Sequence, residues 1–477
     1  MVMKSCAYHD DDKIGLGDDC LFDHLPLKYT AISHSTNLSD HFMKAIKALI
    51  NQYFAIDERQ SSISTEVMAG ITTFLTMAYI IFVNPNILSE AGMDRGAVFV
   101  ATCLAAALGC FMMGLVAKLP VALAPGMGLN AFFTYGVVMG MGHGWQTALG
   151  AVFLSGCLFV ALSLFKVREW VIHAIPTTLK QGIVAGIGAF LAFIALQSAG
   201  IIVARPSTLV ALGDMTAFPA LMAVIGFFIT ISLVHFRVAG AVTIGILLIT
   251  IISFITGHTQ YQGIMSMPPS IAPTFMQLDI KGALDVGMIS VIFAFLFVDL
   301  FDTTGSLVGI AQKAGLDDKN GHIPNLGRAL LADSTATVTG AMLGTSSTTS
   351  YIESASGVSA GGRTGLMAVT VGVLFLLSLF FSPLAGMIPA YATAGAIFYV
   401  SVLMLFTLQD IDWSDLTESA PVAVVLLLTP LTYSIADGIT LGFITYTAVK
   451  SLTGKFAQIS FAVWVLTLIL LVKLILM

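Results

Sequence analysis

The chain has 477 residues and a net charge of −6; 57% of its residues are hydrophobic and only 10% are charged, against about a quarter charged in ordinary soluble domains. So much apolar surface excludes a soluble fold. Lysines and arginines are scattered singly rather than gathered on one face, which excludes a nucleic-acid surface.

Most of the net charge comes from residues 1–66, with ten acidic and six basic side chains. Residues 1–44 are polar, carry an acidic run at Asp10–Asp12 and lack the layout of a secretory signal. They are expected to be disordered, within a cytoplasmic N-terminal tail of residues 1–66. Met43 heads a basic, helix-forming stretch, MKAIKALINQYF, and is an alternative start site.

A bilayer-crossing helix needs about 20 mostly apolar residues. Hydropathy windows place seven spans near 67–87, 97–117, 121–138, 145–165, 180–200, 217–235 and 238–256, then a polar connector at 257–286. Seven more follow near 287–311, 326–344, 347–360, 366–387, 389–407, 420–434 and 437–451. The apolar stretch Phe461–Met477, in the C-terminal segment 452–477, is either a peripheral helix or one span more.

An odd-numbered unit repeated must enter the membrane in opposite senses, so the expected architecture is an all-α, multi-pass protein of fourteen segments in a 7+7 inverted repeat, with repeats at 67–256 and 287–451. A cytoplasmic N-terminus puts Lys118, Lys166, Arg168, Arg237, Lys313, Lys319, Arg328, Arg363, Lys450 and Lys455 inside, and only Arg95, Arg205 and Lys281 outside. The third segment of each half is short and broken: APGMGLNAFF at 124–133 and GTSSTTSYIESASG at 344–357. Broken segments at matching places point to a transporter binding site near the bilayer midplane.

Carboxylates in hydrocarbon are costly and mark function. Asp299 and Asp302 lie three apart on span 8, and Glu353 sits among Ser, Thr and Gly in span 10, so these acids meet only if the second half folds back on itself. Asn130 follows Pro125, Gly126 and Gly128 in span 3, where proline and glycine free backbone polar groups that protein, water or a planar solute must satisfy. Buried acids also suit proton coupling. Asp333 reads as a structural hydrogen-bonding group and Asp437 as a turn or cap residue.

No enzymatic or metal grouping emerges. His143, His173, His235 and His322 fall at loops, Cys6 and Cys20 lie in the tail, and Cys103, Cys110 and Cys157 read as packing residues without metal or disulfide spacing. GLVAKLP and GKF are not phosphate loops, and the glycine run at Ser359–Gly365 reads as a short turn. A channel would need a polar lining along several helices, and an anion exchanger would place basic groups at the site, whereas carboxylates accept N–H groups from a neutral solute.

The segments TTFLTMAYIIFVNPNIL at 72–88, LPVALAPGMGLNAFF at 119–133, LFVDLFDTTGSLVGIAQKAGL at 296–316 and GTSSTTSYIESASGVSAGGRTGL at 344–366 are similar to the azaguanine-type branch of the nucleobase/cation symporters, the bacterial and fungal purine permeases. The resemblance runs from about Glu66 to Lys450. It implies a core domain of spans 1–4 and 8–11 moving against a gate, and proton-driven symport of purines across the plasma or inner membrane, with no cofactor and no metal. Carried over, Asp302 and Glu353 hold the base, Asn130, Gly128 and Phe132 line the other side, and Asp299 assists coupling with Asp302 and Glu353. The retained asparagine resembles guanine/hypoxanthine carriers, with adenine carriage or an anion exchanger of the same fold as alternatives. The expected partners are a small purine base and membrane lipid, with a homodimer left open.

Overall fold

The computed structural model describes residues 34–164, 176–317 and 323–476. Lys166, Arg168, His173, Lys319, His322, Cys6, Cys20 and most of the tail fall outside these residues. Helix begins at His34 and runs to Phe54, so ordered structure starts upstream of Met43, where the polar composition suggested none.

Ile50–Met477 forms one compact unit, in which apolar composition and helix caps set the elements. Span 1 starts at Ile63 behind Ser62, whose side chain accepts from the Thr65 amide. Its helix breaks at Ala78–Tyr79 and resumes as Ile80–Glu90 around Pro85. Span 2 (Arg95–Phe111) is capped by Asp94, which accepts from the Ala97 amide at 2.7 Å, and ends in a π-helical turn, Met112–Ala117. Span 4 is Trp145–Leu164, span 5 Thr177–Ser198, span 6 Phe218–His235 and span 7 Ala241–Ile255.

In the second half span 8 is Val286–Lys313, span 9 Leu326–Leu343, span 11 Gly365–Ser378 extended by Ser382–Met387, span 12 Ala390–Leu405, span 13 Leu416–Leu431 and span 14 Ile435–Leu452. Among the described residues eight helices are long and apolar enough to cross a membrane. Of the others, spans 3 and 10 are short and broken. Phe461–Leu476 is a helix of 16 residues packed on span 14.

Packing sorts the spans into two groups. Span 11 packs on spans 1 and 2, span 9 on spans 2 and 4, and span 8 on span 4; separately, span 5 packs on spans 12 and 13, span 12 on span 6, and span 13 on span 14. These are the core and the gate. Glycines let the core helices touch: a Cβ on Gly365 would lie 2.1 Å from the Gly114 carbonyl oxygen.

Buried polar groups fasten the helix ends. Glu66, fully buried, accepts from the Arg363 amide at 2.9 Å and the Thr364 amide at 3.1 Å, tying span 1 to the start of span 11. Arg95 donates to the carbonyls of Ala385 and Ile388 at the opposite end of the bundle, satisfying oxygens that a helix C-terminus leaves open. Lys450 is not a loop residue: it is 1% exposed on span 14 and pairs with Glu418 at 2.5 Å. Cys157 is exposed on span 4 rather than packed, while Cys103 and Cys110 are buried. Asp437 stands in the first turn of span 14, where its amide donates to the Ser434 cap.

Candidate substrate site where two broken spans cross

Span 3 enters as a short strand, β1 (Leu123–Pro125), before helix Met127–Ala131 and a π-helical stretch, Phe132–Gly140. Beyond the exposed hairpin β2–β3 (Ile202–Arg205 and Leu209–Leu212), span 10 enters as β4 (Thr348–Ser350) before helix Ser354–Ser359. β1 and β4 pair antiparallel, with Ala124 opposite Thr349, and every residue of both is buried.

Backbone groups inside a membrane must be satisfied by protein where no water reaches them, and each broken span supplies what the other lacks. The Gly126 amide donates to the Ser347 carbonyl at 2.9 Å, the Tyr351 amide to the Ala122 carbonyl at 2.9 Å, and the Tyr351 hydroxyl to the Pro125 carbonyl at 2.6 Å. Close approach requires the glycines: a Cβ on Gly126 would lie 2.8 Å from Thr349 Cγ2, and one on Gly128 2.6 Å from Ile187 Cγ2 on span 5. Gly128 therefore sits where core meets gate.

The intramembrane acids divide into two kinds. Asp299 is fully buried and accepts from the Thr337 hydroxyl at 3.0 Å, while Thr337 also approaches the Thr348 carbonyl at 2.9 Å. Asp333, also fully buried, accepts from Thr303 at 2.8 Å, and Thr303 lies 2.7 Å from the Thr349 hydroxyl. Both acid–threonine pairs anchor β4 to spans 8 and 9. Asp333 thus makes the structural hydrogen bond expected of it.

Asp302 and Glu353 are only half-buried and lie within electrostatic reach of each other. Asp302 follows Asp299 by three residues on the same face of span 8. Glu353 stands at the N-cap position of Ser354–Ser359 but makes no capping bond; its Oε1 instead accepts from the Tyr79 hydroxyl at 2.5 Å. Among the described residues no cation stands within ion-pair distance of either carboxylate. Tyr351 and, from span 12, Tyr399 also stand near Glu353.

Asn130 is fully buried inside its short helix and is not a cap: its Oδ1 accepts from the Ser346 hydroxyl, while Nδ2 finds no hydrogen-bond partner among the described residues. Phe132, 1% exposed, packs against Phe295 of span 8 with ring centroids 4.8 Å apart. Asn84, beside Pro85 in span 1, donates to Thr102 at 2.7 Å and Thr345 at 2.8 Å.

Spans 3, 8 and 10 are thus brought together, and the structure adds span 1 through Tyr79 and Asn84. Hydropathy does not single out Tyr79: a tyrosine in an apolar helix is commonplace, and its partner lies 274 residues away. The helix break beside it, ahead of Pro85, was the available signal. The helical threonines Thr303 and Thr337 were hidden because helical threonine ordinarily bonds its own backbone.

The comparisons agree with this architecture. Residues 64–441 match the Xan_ur_permease model, described as Permease family. The chain is 48% identical over 429 residues to the adenine permease AdeP of Escherichia coli, covering 90% of this chain and 96% of that one. It is 46% identical over 419 residues to the guanine/hypoxanthine permease PbuG of Bacillus subtilis, covering 85% and 95%. Among solved structures, the transmembrane domain of the cyanobacterial bicarbonate transporter BicA superposes with a TM-score of 0.59 at 18% identity, covering 78% of this chain and 96% of that one, a likeness of fold alone. The chain is a multi-pass membrane transporter, not an enzyme, and it belongs to the nucleobase permease family.

Proposed function

We propose that the protein takes up purine bases by proton symport, with hypoxanthine and guanine preferred, from a cell membrane in which its N-terminus is cytoplasmic. The observation that carries the preference is Asn130. With Oδ1 occupied by Ser346, the buried amide has only its N–H₂ donor to offer. A 6-oxopurine presents a carbonyl acceptor to such a donor, whereas the 6-amino group of adenine is itself a donor, and a buried unmatched pair costs about 1–3 kcal/mol.

Asp302 and Glu353 supply the complementary acceptors. With no cation on either, they bind purine N–H groups, and two adjacent half-buried carboxylates favour sharing one proton over carrying two charges. A proton taken from one face and released at the other then changes which orientation of the core is favoured. Asp299, on the same helix as Asp302, assists by holding β4 to the scaffold. Gly128 and Phe132 close the other wall.

Adenine carriage is the second reading, because the identity to AdeP is as high as that to PbuG. Uptake of labelled hypoxanthine, guanine, adenine and uracil into cells lacking their own carriers, with and without an uncoupler, separates the two. Hypoxanthine and guanine are expected to accumulate and to compete with each other. Selective adenine uptake reassigns the substrate, and uptake of none overturns the purine reading.

A further inference from the structure

We infer that Tyr79 is a positioning residue of the site, holding one oxygen of Glu353 so that the other is presented to the solute; this rests on the purine reading above. Tyr79 is 1% exposed and stands at the break between the two helices of span 1, where Met77 ends one and Ile80 begins the next. Ala78 and Tyr79 keep right-handed helical dihedrals there, and the Tyr79 hydroxyl reaches across from the core to Glu353 of span 10.

Oε1 of Glu353 accepts from Tyr79 at 2.5 Å, and the residue's own backbone amide also bonds the carboxylate. The residue is half-buried, so the carboxylate is not sealed inside the core. Charge-assisted bonds of this kind are short and directional, and a glutamate left to its own rotamers would spend that direction. Of the tyrosines near Glu353, Tyr351 donates instead to the Pro125 carbonyl and Tyr399 stands on span 12 of the gate.

Span 1 is itself fixed by further bonds on either side of Tyr79. Thr76 lies 3.0 Å from the Ser356 hydroxyl, three residues beyond Glu353, and Asn84 holds Thr345. Tyr79 is therefore not needed to attach span 1 to span 10. Loss of its hydroxyl is expected to free Glu353 without detaching the helix.

The test is Tyr79→Phe, which keeps the ring and deletes the donor. Three quantities are measured on the full-length chain: KM and Vmax for hypoxanthine uptake, the melting temperature in detergent, and the infrared carboxylate band that disappears in Glu353→Gln. The expected result is a KM raised roughly ten-fold, as one hydrogen bond to a charged group allows, with Vmax and melting temperature little changed and the Glu353 band shifted. An unchanged KM overturns the proposal. So does a raised KM with the band unmoved, since the ring would then act by packing. If the unaltered chain takes up no purine, the purine reading fails, and the infrared band alone decides whether Tyr79 holds Glu353.

Discussion

Two glutamates, one in the core and one in the gate, show how the same side chain is used for opposite ends. Glu418 on span 13 is bound by Lys450 at 2.5 Å and by the Thr178 hydroxyl, and Lys450 in turn donates to Gln458 at 2.6 Å. That cluster joins spans 5, 13 and 14 and leaves neither charge in want of a partner. Glu353 has a neutral tyrosine on one oxygen, a second carboxylate nearby and, among the described residues, no cation within ion-pair distance. The first glutamate ties three gate spans together; the second, on the function proposed above, receives the solute and the proton.

The comparison is broken most severely at the open end. Glu353→Gln and Asp302→Asn are each expected to reduce uptake by roughly a hundred-fold or more, since each removes an acceptor and a proton site together, while membrane quantities stay normal on immunoblots. Full uptake by either variant would remove that residue from the site. Lys450→Met should do the reverse, costing about 1–3 kcal/mol by leaving the part-exposed Glu418 carboxylate without its cation and lowering the melting temperature, with KM unchanged in the molecules that fold. Replacing Glu418 by leucine alongside it should recover most of that stability; a double variant as unstable as the single one would argue against the ion pair as the cause.

A smaller effect sharpens the contrast within the site. Asn130→Ala is expected to weaken hypoxanthine uptake by roughly ten-fold, from the loss of one buried donor, and to weaken adenine uptake less. Equal losses for both bases would place the amide away from position 6 of the ring. Smaller again, Asp94→Ala should cost about 1 kcal/mol by uncapping span 2, visible as a modest fall in melting temperature without a change in KM.

pH dependence separates the ends of the bundle from its middle. Hydrogen bonds from the Gly282 amide and the Thr147 hydroxyl hold the Asp279 carboxyl below its usual range, and Lys455 with Thr417 does the same for Asp415. Their contribution to stability is therefore complete above the ordinary carboxylate range and is lost only as pH falls through the lowered folded values. Near neutrality both stay charged. Asp279→Asn should accordingly leave the pH profile of uptake unmoved, and a displaced profile would show that the titration is not confined to the site.

The spans, their 7+7 order and the two broken segments were legible because hydrocarbon makes apolar length and its interruptions conspicuous. The antiparallel pairing of β1 with β4 follows from the same rule, since two breaks that cannot borrow water must satisfy each other. Asp302 and Glu353 stood out as unexplained charge in an apolar background. Asp299 stood out equally, yet it is tied to Thr337, and a spacing of three residues could not tell a scaffold-facing acid from a gap-facing one. Tyr79 and Lys450 were obscured for opposite reasons: the tyrosine blended into its helix, and the lysine near the end of an apolar run looked like a flanking charge although it is 1% exposed.

The most direct measurement is hypoxanthine accumulation in proteoliposomes under an imposed proton gradient, comparing the unaltered chain with Glu353→Gln at equal protein. Accumulation above the external concentration by the first, collapsing with an uncoupler and absent from the second, is the result this account predicts. Equal gradient-driven accumulation by both would contradict it.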